Sequence, residues 1–339
     1  MSKQILVTGG CGYIGSHTCL ELLKQGYEVI VVDNLYNSKI ESLERVKLLT
    51  GKDIKFYQGN ILEYNSLDKI FSENDIFGVI HLASLKSVGE SSIVPLNYYK
   101  NNITGTICLL EVMKKHNVKN IIFSSSATVY GEQEVQPIKE TAVLKEPTNP
   151  YGKTKLYIES ILKDLYNSDK EWNIILLRYF NPIGAHESGL IGEDPNDNPK
   201  NLMSYITEVA IGKRQELTIY GNDYNTYDGT GVRDYIHVCD LARGILSALT
   251  YLEKSNGLDI FNLGTGTGYS VLDLIKTFSK VLGRELPYKI VERRIGDVAT
   301  CYADSTHAYK ILGFKCEKTL EDMCRDSWNW QSKNPNGYK

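Results

Sequence analysis

The chain has 339 residues, 42% hydrophobic and 23% charged, with a net charge of -3, enough to bury a full-sized core as one large domain or two coupled ones. That balance gives no basic surface for nucleic acid or an anionic membrane, and no apolar run approaches the roughly 20 residues that span a bilayer. Seven cysteines without a CxxC spacing, and an opening that runs from Lys3 into Ile5-Leu6-Val7 and a glycine turn, make the cytoplasm the expected compartment.

In chain order, the first expected strand covers residues 4–8 and runs into Thr8-Gly9-Gly10-Cys11-Gly12-Tyr13-Ile14-Gly15 and a helix over 14–25. Glycines at 9, 12 and 15 allow a tight turn, close approach of a pyrophosphate and helix–strand packing. The helix N-terminus presents free N–H groups and the positive end of its dipole to the phosphates. A second strand over 28–33 ends on Asp33, 18 residues beyond Gly15, where a carboxylate can bind a ribose diol. Asn34 follows it and no arginine sits beside it, so NAD is favoured over NADP.

Further strands are expected over 55–58, 78–82, 120–124 and 173–178, with helices over 42–49, 66–71, 96–116 and 151–165. The alternation predicts an α/β fold: a Rossmann-type doubly wound parallel sheet with helices on both faces. Its strands read as short continuous apolar runs, as burial on both faces requires. Ser124-Ser125-Ser126 ends the fifth strand at the carboxyl edge, where ligands bind in this architecture. Ser126 is the preferred chemical residue of the three, and Ser124 and Ser125 fit a backbone-satisfying role as well.

Tyr151 and Lys155 then share a helix face. A phenol of ordinary pKa about 10 is a poor base at neutral pH, and a fixed cation favours its ionised form. Lys153 lies on another face and is expected in solvent.

Beyond residue 181 the character changes. Residues 181–200 are rich in Gly, Pro, Asn and Asp and read as an ordered or ligand-covered loop. A helix over 202–211, a strand over 216–219, a polar loop over 221–231 and helices over 271–282 and 320–330 suggest a smaller α/β lobe closing over the sheet's carboxyl edge. The expected division is a cofactor domain over 1–180 and a substrate lobe over 181–339, with some segments returning to the first domain. The tail from Gln331 reads as loosely ordered. Gly264-Thr265-Gly266-Thr267-Gly268 imitates a phosphate loop, but no acidic second strand follows it; it reads as a turn, with Ser270 capping the next helix. The six histidines show no metal-ligand spacing, so no metal is expected.

Long runs carry a resemblance that covers nearly the whole chain: LVTGGCGYIGSHT, VVDNLYNSK, SSSATVYGE, PYGKTKL, LLRYFNPIGAHESG, NDYNTYDGTGVRDYIHV and FNLGTGTGYSVLD. They resemble the extended short-chain dehydrogenase/reductase superfamily, and within it the UDP-glucose 4-epimerase family. The resemblance implies an NAD-dependent isomerase. Tyr151 would take the proton of the sugar 4-hydroxyl while hydride leaves C4. The keto sugar would turn over in the pocket and take the hydride back on its other face. Lys155 would bind the nicotinamide ribose and depress the Tyr151 pKa, and Ser126 would hydrogen-bond the reacting oxygen.

For the cofactor the resemblance implies Gly9, Gly12, Tyr13, Ile14, Gly15, Asp33, Asn34, Asn37, Ser38, Asn60, Ile61, Leu82, Ala83, Lys86, Asn101, Ser124 and Tyr179, besides Tyr151 and Lys155. For the UDP-sugar it implies Ser126, Tyr151, Asn181, Asn201, Leu202, Thr218, Tyr220, Arg233, Arg294, Asp297 and Cys301. Guanidinium forks at Arg233 and Arg294 suit a diphosphate. The uridine diphosphate would hold the substrate while the hexose stays free to turn.

Three positions depart from the pattern. Asn60 stands where the family usually has aspartate near the adenine, and Ser84 replaces a glycine or alanine. Cys301 occupies the place beside the sugar C2 substituent, where a tyrosine tends to exclude N-acetylhexosamines, so both UDP-GalNAc/UDP-GlcNAc and the unmodified pair become candidate substrates. A related nucleotide-sugar dehydratase or decarboxylase is the nearest alternative, but dehydratases commonly carry Asp-Glu where Ala127-Thr128 follows Ser126 here. A non-catalytic NAD(H)-sensing protein is the other, and it usually lacks the Tyr–Lys pair. By the same resemblance, the helices over 96–116 and 151–165 would form an intersubunit bundle in a homodimer.

Overall fold

The computed structural model describes residues 2–196, 201–294 and 297–338. The strands are β1 Gln4–Thr8, β2 Glu28–Asp33, β3 Lys55–Gln58, β4 Ile76–His81, β5 Asn120–Ser126, β6 Asn173–Tyr179, β7 Asn181–Ile183, β8 Leu217–Tyr220, β9 Val232–His237, β10 Leu258–Leu263, β11 Gly268–Ser270, β12 Tyr288–Val291 and β13 Thr300–Cys301. The α-helices are α1 Tyr13–Lys24, α2 Glu41–Thr50, α3 Tyr64–Ser72, α4 Val88–Ile93, α5 Pro95–Tyr98, α6 Gly105–Lys115, α7 Pro150–Ser168, α8 Leu202–Ala210, α9 Val238–Leu252, α10 Val271–Leu282, α11 Thr306–Leu312 and α12 Leu320–Lys333.

Seven strands form one parallel sheet in the order β10-β6-β5-β4-β1-β2-β3. Its direction of growth reverses between β1 and β4, and that switch point opens a crevice at the strands' carboxyl ends. Residues of α1, α2 and α9 pack one face through Leu20, Val46 and Ile245, and those of α3, α6 and α7 pack the other through Ile70, Val112 and Leu162. Both faces are therefore apolar, which accounts for the continuous hydrophobic strands.

The chain returns to this sheet late: α9 packs with α1, and β10 pairs in parallel with β6. Residue 180 is thus not a clean cut. The second lobe is built on β9, flanked by β7, β11 and β13, with a separate β8–β12 pair. Its own core lies among α8, α10 and α12. Residues 197–200 of the loop expected over 181–200 lie outside the described residues.

Two expectations are corrected. The helix expected over 96–116 runs from Pro95 to Lys115 but carries a π-helical turn over Tyr99–Thr104. Within that turn Asn102 is buried and bonds Leu85 N and O at 2.8 and 3.0 Å and Thr154 Oγ1 at 3.0 Å. The extra residue in the turn accompanies side-chain partners that an amphipathic pattern does not encode. The tail is not loose: α12 continues to Lys333, and Asn334 and Tyr338 are buried. The Tyr338 ring packs 4.8 Å from Trp330, and its backbone N–H donates to Asp194 at 2.7 Å.

Candidate active site

The glycine turn joins β1 to α1 as expected. Gly9 has φ +72°, and a Cβ there would sit 2.9 Å from Ala83 N, so only glycine lets the β1 and β4 loops approach this closely. At Gly12 the nearest atom to an added Cβ is the Gly9 carbonyl at 3.3 Å, leaving open space beyond. Gly12 also ends α1 without a side-chain cap, and no acidic residue sits in the first turn among the described residues. Uncapped amides with a positive dipole end and open space before them fit a pyrophosphate.

Asp33 closes the adjacent β2. One carboxylate oxygen accepts from Cys11 N at 3.0 Å; the other accepts from Leu35 N at 2.9 Å and Ser38 Oγ at 2.8 Å. A carboxylate has about four acceptor positions, so room for a ribose hydroxyl remains. Asn34 and Asn60 form local turns by accepting from Tyr36 N and Leu62 N, both at 3.0 Å. Asn37 accepts from Asn196 N at 2.8 Å, which straps the 193–196 segment across this end. Leu82 and Ala83 donate to Thr8 Oγ1, each at 3.2 Å. Ile61 is buried against Gly105, and Ile14 packs into the sheet's core. Asn101 donates to Asn102 at 3.0 Å. Two side chains turn elsewhere: Tyr13 donates to Gly184 O at 2.5 Å, and Lys86 pairs with Glu193 at 3.1 Å.

Tyr151, Lys155 and Ser126 meet at the carboxyl edge of β5. Asn149 caps α7 by accepting from Gly152 N at 2.9 Å, and Pro150 starts the helix where its missing N–H costs nothing. The Tyr151 phenol lies beside the Ser126 hydroxyl, and Ser126 Oγ accepts from Thr128 Oγ1 at 3.0 Å. Lys155 Nζ donates to Ser124 O at 2.7 Å and Ser84 Oγ at 3.1 Å, and lies 5.9 Å from the Tyr151 ring centroid. Tyr179 ends β6 beside Ser126; its buried hydroxyl, next to Ser124, makes no hydrogen bond of ordinary geometry to a described residue. An orphaned hydroxyl here suits the polar end of a dinucleotide. Lys153 turns outward and pairs with Glu146 at 2.5 Å.

The electrostatics differ from expectation. Burial raises the Tyr151 phenol above its ordinary value, and the neighbouring Ser126 hydroxyl acts in the opposite direction. Burial also pushes the Lys155 ammonium down to about 7. Desolvation thus penalises the charged form of each partner, the phenolate and the ammonium alike.

Asn181 opens β7 directly after Phe180, close to Tyr179. Thr218 and Tyr220 lie on β8, and Arg294 stacks 4.7 Å from the Tyr220 ring while pairing with Asp297 at 2.9 Å. Arg233 and Cys301 are register partners on β9 and β13, and the Arg233 guanidinium donates to Val232 O at 2.9 Å. Asn201 caps α8 by accepting from Ser204 N at 2.9 Å and also bonds Glu193; Leu202 packs into the second core. Cys301 packs against the cluster of Tyr130, Ile138, Phe180 and Ala303. Burial pushes its thiol up to about 11, so it is a neutral wall rather than a nucleophile.

The glycine decoy at 264–268 is filled from within. Buried Asp234 accepts from Thr265 N at 2.8 Å, Thr265 Oγ1 at 2.7 Å, Gly266 N at 3.0 Å and Ala303 N at 3.1 Å. An internal carboxylate stands where a phosphate would. Ser270 caps α10 in a capping box with Asp273. Sequence reasoning missed Asn102 and the Ser84–Lys155 contact; an asparagine pair before a helix and a serine replacing glycine were the available signals.

Residues 5–264 match the NAD dependent epimerase/dehydratase family. The chain belongs to this family. It is 59% identical over 335 residues to the UDP-glucose 4-epimerase of Bacillus subtilis, covering 99% of this chain and 98% of that protein. The crystal structure of UDP-glucose 4-epimerase from Bifidobacterium longum in complex with NAD+ and UDP is similar at a TM-score of 0.97 and 54% identity, over 99% of this chain and 100% of that one. The UDP-Glc/GlcNAc 4-epimerase of Campylobacter jejuni is similar at a TM-score of 0.85 and 35% identity, covering 98% and 100% of the respective chains.

Proposed function

We propose that the protein is an isomerase that interconverts UDP-galactose and UDP-glucose by NAD-dependent 4-epimerisation. The observation that carries this is the meeting of Tyr151, Ser126 and Lys155 at the sheet's carboxyl edge, beside the uncapped glycine turn. The turn's amides would hold the pyrophosphate and Asp33 the adenosine ribose, with Lys155 and Tyr179 at the nicotinamide end. Bound there, NAD supplies a reversible hydride acceptor.

The chain's own residues supply the acid–base half. Tyr151 Oη takes the proton of the sugar 4-hydroxyl, and Ser126 Oγ holds the reacting oxygen in line. Tyr151 then keeps that proton and returns it to the same oxygen after the sugar has turned. The Lys155 ammonium compensates the phenolate's charge, at a pKa of about 7 that makes its protonation sensitive near neutrality. Arg233 and Arg294 anchor the diphosphate by bidentate bonds, leaving the hexose free to present either face. Elimination chemistry is disfavoured because Ala127 and Thr128, not an acid pair, follow Ser126. A sensing role is disfavoured by the intact base.

The wall at Cys301 extends the reading to UDP-GalNAc and UDP-GlcNAc. A cysteine leaves room that a tyrosine would fill, and the similar Campylobacter jejuni protein is a UDP-Glc/GlcNAc 4-epimerase. The apolar side chains exposed along α5 to α7, Leu96, Ile107 and Tyr157, support a homodimer through these helices. Among the described residues no helix is long and apolar enough to cross a membrane, and free cysteines fit a cytoplasmic setting.

Purified protein mixed with UDP-galactose, without added cofactor, tests the reading. UDP-glucose is expected to appear. A stable 4-keto-6-deoxy sugar would indicate a dehydratase, and no product a sensor.

A further inference from the structure

The groups that carry the proposed reaction sit on two elements, Tyr151 and Lys155 on α7 and Ser126 at the end of β5. Arg178 on β6 lies behind both. Its Nε and one terminal nitrogen donate to the two carboxylate oxygens of Glu159 at 2.9 and 2.7 Å, and Glu159 is one helical turn beyond Lys155. Ser125 Oγ donates to the same carboxylate at 2.6 Å. Ser125 stands between Ser124, whose carbonyl accepts from Lys155, and Ser126, the neighbour of Tyr151. The other terminal nitrogen of Arg178 donates to Glu140 O at 3.2 Å, and the guanidinium lies 4.7 Å from the Tyr130 ring. Tyr130 closes the turn that begins after Ser126.

Arg178 and Glu159 are 1% and 0% exposed. Burial by itself would raise the Glu159 carboxyl, but Arg178, Ser125 and the more exposed Lys163 hold it below its ordinary value. A buried ion pair is a poor device for stability, since well-packed apolar residues often do as well. It is a good device for register. The apolar contacts of Ile158 and Leu162 with the sheet are non-directional, whereas a bidentate guanidinium–carboxylate fork fixes distance and angle.

We propose that Arg178 and Glu159, with Ser125, are positioning residues: a buried clamp that fixes α7 against the turn after Ser126 and so sets the Tyr151–Ser126 contact. This rests on the 4-epimerase reading. A displacement of about 1 Å at reacting atoms can cost about 100-fold in rate.

The test compares Arg178→Lys, Ser125→Ala and Leu162→Ala for kcat, KM, bound cofactor and pH profile on UDP-galactose. Lysine keeps the charge but loses the fork and the stacking on Tyr130. Arg178→Lys is expected to keep its cofactor and a KM within about threefold, with kcat at least about tenfold lower. That loss is expected to narrow toward pH 9.5, because the displaced phenol moves away from the Ser126 hydroxyl that favours ionisation. Ser125→Ala is expected to lose about three- to tenfold in kcat with the same pH trend. Leu162→Ala loosens the same helix without touching the clamp, and is expected to unfold at lower temperature with kcat within about threefold of wild type.

The proposal fails if Arg178→Lys keeps kcat within about threefold of wild type, if Leu162→Ala loses as much, or if the loss is flat in pH. Should Arg178→Lys not fold, an unchanged kcat and pH profile in Ser125→Ala overturns it. A wild type inactive on UDP-sugars overturns the reaction reading instead; the Tyr151–Ser126 separation in a crystal of Ser125→Ala then decides the clamp, a wild-type separation refuting it.

Discussion

Replacing Lys155 with methionine is expected to stabilise the fold while removing turnover. Lys155 is 1% exposed, and burial moves its ammonium from 10.5 down to about 7. Each tenfold change in proton affinity is worth about 1.4 kcal/mol, so carrying the charge costs the folded state about 5 kcal/mol. Below pH 7 both folded and unfolded chains hold the proton and the full cost applies. Between pH 7 and 10.5 the unfolded chain binds the extra proton, so stability rises with pH and the cost fades. Methionine removes the charge at similar volume but leaves Ser124 O and Ser84 Oγ without their donor, which gives back about 1–3 kcal/mol.

The net gain is about 2–4 kcal/mol at pH 6.5, shrinking by about 1 kcal/mol for each pH unit above 7 and vanishing near pH 9. Urea unfolding of both proteins across pH 6.5 to 8.5 reads the difference, which cancels the cysteines and tyrosines that titrate alike in each. Activity is expected to fall by about 100- to 10,000-fold. A methionine variant less stable than wild type at pH 6.5, or a stability difference flat in pH, would refute the reasoning.

Tyr151→Phe removes the proton acceptor at Oη; kcat is expected to fall by about 100- to 10,000-fold, while calorimetry finds UDP binding nearly unchanged. Cys301→Tyr is expected to abolish turnover of the N-acetylated pair and spare the unmodified pair, measured by competing both substrates; equal losses on both would remove the gate. Trp330→Ala deletes a buried ring that packs on Tyr338 and donates to Glu193 O at 3.2 Å, with an expected loss of about 3–5 kcal/mol in urea unfolding.

Local pattern was enough for the first half of the fold. Residues 4–8, 28–33 and 55–58 are strands at the expected bounds: the first two hold apolar runs and the third an aromatic pair, each followed by a turn residue. The Tyr151 helix was legible through Pro150 and the shared face of Tyr151 and Lys155. What escaped depends on partners far along the chain. α9 and β10 rejoin the sheet through α1 and β6, a pairing no local window contains. The π-helical turn at 99–104 serves Asn102, whose partners Leu85 and Thr154 come from other elements. The tail is ordered by Asp194, Gly189 and Trp330 rather than by its own polar composition. At the site, the type of each residue was legible and its electrostatics were not. Burial, invisible in sequence, raises the Tyr151 phenol and lowers the Lys155 ammonium to about 7.

The central claim is that hydrogen leaves C4 of the sugar and returns to the same carbon on the opposite face while Tyr151 guards the proton. Incubating the protein with UDP-galactose deuterated at C4, in ordinary water, tests it directly by NMR of the product. UDP-glucose that keeps its deuterium at C4 is the predicted result. Loss of the deuterium to solvent, or failure to form UDP-glucose at all, would contradict the account.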